Sequence, residues 1–146
     1  MPAYVTVPEV KQLAPNQVLD GLTDLQLTRL TQHASRIIRS HTRAAVYATT
    51  TEGMPTDPRV RDAMRDAAAT QIVAWAESGL TADVLSGGVT AQARVAKSTM
   101  NGASVDLDNS VADAARTHLL AGGLGVEAMM ILDDVGLTHA LPGVWR

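Results

Sequence analysis

The spacing of apolar residues along the chain predicts helices. Leu27, Leu30, Ala34, Ile37 or Ile38 and His41 recur at helical intervals and fall on one face. Thr23-Asp-Leu-Gln26 marks the start: Thr23 can accept from the third backbone N–H while Gln26 reaches back, a capping box. The periodicity carries this helix to about residue 47. A second long helix opens at Asp57-Pro58, with Asp as N-cap and Pro at the first helical position. Val60, Met64, Ala68, Ile72 and Trp75 form its apolar stripe, and Gly79 ends it. On its wet side Asp57, Arg61, Asp62, Arg65 and Asp66 alternate in sign at intervals that allow ion pairs.

Shorter elements flank this pair. Val7–Leu13 reads as a helix with Pro8 in its first turn and Pro15 just past its end, and Thr81–Leu85 as one more helical turn. The next segment predicts strands: Arg94–Thr99 and Ala103–Leu107 flank Met100-Asn101-Gly102, and Asn101-Gly102 is a strong type I′ hairpin signal. A hairpin at about 93–108 is therefore expected, with one polar face, and a lone hairpin needs a surface to lean on. Asp108-Asn109-Ser110 then caps a helix over Val111–Leu120, with Val111, Ala115, His118 and Leu119 roughly aligned. The run Ala121-Gly-Gly-Leu-Gly125 reads as a flexible joint. Beyond it, Met129, Met130, Ile131, Leu132, Leu137, Leu141 and Trp145 make a tail too apolar to be free, interrupted by Gly136, Pro142 and Gly143.

The expected architecture is thus mainly α: a small helical bundle with two long antiparallel helices, an inserted β-hairpin and an extended C-terminal arm. Residues 1–121 form the helical domain, and 122–146 the joint and docking arm. With 146 residues, 46% hydrophobic and 18% charged, the chain can bury one core; lacking Phe and with 3% aromatics, it must build that core from aliphatic and small side chains.

Charge and candidate chemistry narrow the function classes. The net charge of −3 is uneven: +1 over residues 1–73 (8 basic, 7 acidic) and −4 over 74–146 (4 basic, 8 acidic). Neither half resembles a free-standing nucleic-acid binder. Cys is absent, so disulfides and thiolate metal sites are excluded. No cationic leader with an apolar run opens the chain, and Leu119–Leu132 is too short and glycine-rich to span a bilayer, so a protein made in a cytoplasm is expected.

His33, His41, His118 and His139 lack metal-ligand spacing and read as packed or helix-flank histidines. Asp106-Leu-Asp108-Asn-Ser110 imitates half a calcium loop, but Val111 stands where Gly is needed and Thr117 where Glu is needed. Ala96-Lys97-Ser98 lacks the glycines of a phosphate loop, and Gly123-Leu-Gly125-Val-Glu-Ala128 has no βαβ setting. No nucleophile elbow occurs. No enzyme, cofactor or metal is expected. Arg29, Arg36 and Arg43 recur every seven residues, with Arg39 nearby. They are either a solvated face or a face turned toward DNA or toward acidic groups on a neighbouring copy.

The segments LTDLQLTRLTQHASRIIRSHT and DPRVRDAMRDAAATQIVAWAESG, followed by the strand pair around KSTMNGASVDLD, stand in an order that resembles the head-to-tail connector (adaptor) family of long-tailed phages. The spacing of Val60, Ala63 and Ala67 after Pro58 is similar to that family's second helix. The likeness covers about residues 5–120 and rests on size and polarity rather than reactive groups. It implies a structural virion protein forming a homo-oligomeric ring, usually a dodecamer, at the head–tail neck. Such a ring binds the portal protein on one side and a stopper or other neck protein on the other, and packaged DNA passes through its lumen without sequence-specific contacts. Under that resemblance Arg29, Arg36, Arg39 and Arg43 would face the channel or a sister subunit. Met129, Met130, Ile131, Leu132, Leu137, Leu141 and Trp145 would dock the arm. Another helical interaction module, or a DNA-binding regulator using the arginine-rich helix, remains open at this point.

Overall fold

The computed structural model describes residues 3–14, 17–86 and 107–138. Among them are six helices: α1 (Val7–Leu13), α2 (Asp24–His41), α3 (Pro58–Glu77), α4 (Thr81–Leu85), α5 (Leu107–Leu120) and α6 (Val126–Asp134). The start signals read from the sequence are present. Thr23 accepts from the Gln26 amide while Gln26 Oε1 accepts from the Thr23 N–H, and Asp57 accepts from the Arg59 N–H ahead of Pro58. A second capping box, Thr6 with Glu9, opens α1.

α3 is the central helix, packing against α1, α2, α4 and α6. Ala63, Met64, Ala67, Ala68, Ala69, Ile72 and Trp75 are buried along it, a wider band than the single expected stripe. The alanines explain that width. A small residue at the contact lets neighbouring helix axes approach, so α3 can be covered on more than one side. From α2, Leu27, Leu30, Ala34, Ile37 and Ile38 enter the same core; from α6, Ala128 and Leu132 do.

Three expectations are corrected. First, α2 ends at His41, and residues 42–44 form a turn, so Arg43 lies beyond the helix. Second, no strand occurs among the described residues, only an isolated antiparallel bridge between Thr49 and Pro55. The hairpin's last residues, Leu107 and Asp108, are the first of α5, so Asp108, Asn109 and Ser110 lie inside the helix rather than before it. Leu107 stands two residues from Val105 but four from Val111, and the helical series Leu107, Val111, Ala115 prevails over the short strand alternation. The rest of the expected hairpin, with its turn at Asn101 and Gly102, lies outside the described residues.

Third, the start of the C-terminal arm is not extended. Val126–Asp134 is helical and packs on α3. Gly136, read as an interruption, is its cap. At φ +75° it lets its own N–H reach Asp133 O and the Leu137 N–H reach Leu132 O, both at 3.0 Å, while Leu132 and Leu137 are buried. Gly79 closes α3 in the same way, returning Leu80 to Trp75 O at 2.8 Å.

Candidate interaction surfaces

α2 has two unlike faces. Its outer side carries Leu25, Arg29, Gln32, Arg36 and Ser40 at intervals of three and four, all exposed, with no acidic residue in the series. Arg43 follows, exposed, in the turn. Seven residues of helix rise about 10.5 Å and return to nearly the same azimuth, so Arg29 and Arg36 form one cationic ridge. Arg29 reaches Leu85 O weakly at 3.4 Å. The ion pairs among the described residues lie elsewhere, at Lys11–Asp24, Arg65–Asp62 and Arg65–Asp66.

Arg39 does not join this ridge. Its guanidinium lies 5.6 Å from the centre of the Tyr4 ring, and its Nε and Nη2 are buried with no hydrogen-bond partner among the described residues. A cation over an aromatic face is a partial substitute for the missing acceptor. Beside it the Tyr47 phenol is pushed up to about 12, mainly by burial and then by the Tyr4 hydroxyl, against the opposing pull of Arg39. Farther up the helix, burial and then Arg36 hold the His33 imidazole below its ordinary value; its ring lies 5.5 Å from Trp75.

The residues expected on a docking arm divide. Leu132 and Leu137 are buried, Met129 and Ile131 are half-buried against the core, and Met130 is exposed. Leu141 and Trp145 lie outside the described residues. The outward side of α6 shows Val126, Glu127, Met130, Asp133 and Asp134. Val126 and Glu127 also border a cleft of about 210 Å³ with Leu13, Val73, Ala74 and Glu77.

The segment read from the sequence as a flexible joint is gripped by three helices. His41 Nε2 lies 3.0 Å from Gly122 O, and His118 Nε2 lies 3.1 Å from Leu124 O. The fully buried Gln71 amide donates to Gly123 O at 3.1 Å and accepts from the Gly125 N–H at 2.8 Å. Each imidazole serves as donor at Nε2, because a carbonyl can only accept. A Cβ at Gly123 would stand 2.3 Å from His118 ring atoms, so a larger residue there would push the imidazole off Leu124 O. Gln71 escaped the sequence reading because one amide among apolar neighbours carries no motif. Its only signal is a polar residue on the inner side of α3, between Ala68 and Ile72.

No group of three or more metal-ligating side chains gathers among the described residues, and no described helix is long and apolar enough to cross a membrane. Comparison of the chain with protein-family models, characterised proteins and solved structures yields no match.

Proposed function

We propose that this chain is a non-enzymatic structural protein that assembles with copies of itself, and that its assembly is the connector ring at the head–tail neck of a long-tailed phage. The observation that carries the reading is apolar surface left uncovered at defined places. Leu25 is 72% exposed, Val126 80% and Met130 64%, and Val126 adjoins the cleft that the exposed Leu13 also lines. Isolated exposed aliphatics are ordinary, but Leu13 and Val126 beside one cleft, with Met130 a turn further along α6, offer a partner a continuous apolar edge. The cationic ridge of α2, which has no ion pair among the described residues, adds a polar edge of the kind that sets register.

In this reading the portal and a stopper or neck protein hold the two ends of the ring, and DNA passes through the lumen held by phosphate attraction alone. Repetition of Arg29, Arg36 and Arg43 in every copy multiplies a modest monomer charge into a continuous field. A sequence-reading DNA regulator is less well supported. Residues 42–57 separate α2 from α3, far more than the tight turn of a helix-turn-helix pair, and Arg65 on α3 is already occupied by Asp62 and Asp66.

The test is the mass of the purified chain, alone and with a portal ring, beside a duplex-DNA shift assay. The reading expects a multi-copy species that joins the portal. A monomer that ignores the portal yet shifts a duplex at physiological salt would overturn it in favour of the regulator.

A further inference from the structure

The outer faces of α2 and α6 match in charge and spacing. On α6, Glu127 and Asp134 are seven residues apart and exposed, as Arg29 and Arg36 are on α2. Each pair therefore spans about 10.5 Å on one side of its helix. Between the charges lie Gln32 on α2 and Met130 on α6, both exposed. The helix dipole makes the mismatch within one copy plain. α6 has no basic residue in its last turn and ends in the exposed Asp134, so that carboxylate adds to the negative end of the helix instead of offsetting it. Such a placement is locally unfavourable, and a cation supplied from outside corrects it.

We infer that the exposed face of α6 is a docking surface for α2 of a second copy of this chain. The inference rests on the self-assembly reading above and names its contact. Arg29 of one copy stands opposite Glu127 of the next, and Arg36 opposite Asp134, with the two helices running the same way. That direction is chosen by Leu25. One turn before Arg29, it then lies over the cleft bordered by Leu13, Val73 and Val126, whereas the opposite direction carries it past Asp134, away from the apolar lining. Burial of Leu25 supplies attraction, and the charges fix register.

With α2 of each copy on one neighbour and its α6 on another, the contact is head-to-tail, and the series either closes into a ring or runs on as an open filament; the ring proposed above is the closed case. Exposed ion pairs are individually weak, so a single contact dissociates readily and closure, which makes the last contact intramolecular, holds the ring.

A charge exchange in the full chain tests this. One variant carries Arg29→Glu with Arg36→Glu, the other Glu127→Arg with Asp134→Arg, and sedimentation velocity follows both. All four positions are exposed, and circular dichroism checks that each variant keeps its helices. Each variant alone is expected to associate at least tenfold more weakly than the parent, since like charges then face each other. An equimolar mixture is expected to recover association with strictly alternating composition, because every α2 then meets an opposite α6. Leu25→Asp is expected to weaken association in the parent and in the mixture alike. If the parent associates and both reversed variants associate equally well, the α2–α6 contact is wrong while self-assembly stands. If the parent is monomeric at every concentration, both fall.

Discussion

α6 and α5 are both short helices in the second half of the chain, yet they are held in different ways. α6 lays Ala128 and Leu132 against α3 and closes on the buried Leu137. Among the described residues α5 shows no broad packing on another helix, and its residues 114–118 are exposed in succession, all the way round. It is tied near its end, by Arg116 to Ser78 O at 3.2 Å, by His118 to Leu124 O, and by the half-buried Leu119 and Leu120. Helices of this length are marginal in water by themselves, so what separates the two is tertiary cover, not propensity.

The sharpest way to break the comparison is Leu132→Ala. Leu132 is fully buried between α6 and α3, and its truncation is expected to cost ~2–5 kcal/mol, lowering the midpoint of global unfolding in urea. An unchanged midpoint would mean that α6 is a detachable arm after all. Next is Gln71→Leu, which removes one partner from Gly123 O and one from the Gly125 N–H. Leaving these groups without their partner is expected to cost ~1–3 kcal/mol and to speed amide exchange at Gly125. Ala115→Gly, on the exposed run of α5, is expected to cost about 1 kcal/mol of local helix stability, with little change in the global midpoint. Hydrogen exchange confined to α5 would show this, and a global shift of the size seen for Leu132→Ala would erase the distinction.

The smallest effect expected is that of pH on α2. Burial, then Arg36, keeps His33 from taking up a proton that the unfolded chain accepts below about 6.5. The unfolded state therefore binds more protons in that window, and stability, full above pH 6.5, declines as pH falls through it. His33→Asn should flatten this part of the urea-midpoint profile. A parent profile that is flat or rises on acidification would show that His33 is not shielded in the fold.

Much of the bundle was legible in the chain because its signals are local. Thr23-Gln26 and Asp57-Pro58 begin α2 and α3, and Gly79 ends α3, through hydrogen bonds made within a few residues. What misled was context. Leu107 satisfies a strand period with Val105 and a helix period with Val111, and only the longer series decides. Gly136 looks like a break until Leu137 is seen folded back on Leu132. Four arginines looked like one group, yet Arg39 turns inward onto Tyr4, a contact across the fold that no spacing announces. The joint at Gly122–Gly125 has the composition of a hinge, and its grip comes from Gln71, His41 and His118 on three separate helices. The acidic partners of the cationic ridge, Glu127 and Asp134, were hidden by the apolar residues between them.

The central claim, that the uncovered apolar and charged faces exist to be occupied by sister copies, is tested most directly by native mass of the intact chain across protein concentration and ionic strength. The account predicts a closed multi-copy species at low salt that shrinks toward monomer as salt screens the α2–α6 charges. A single monomeric mass at every concentration and every salt would contradict it.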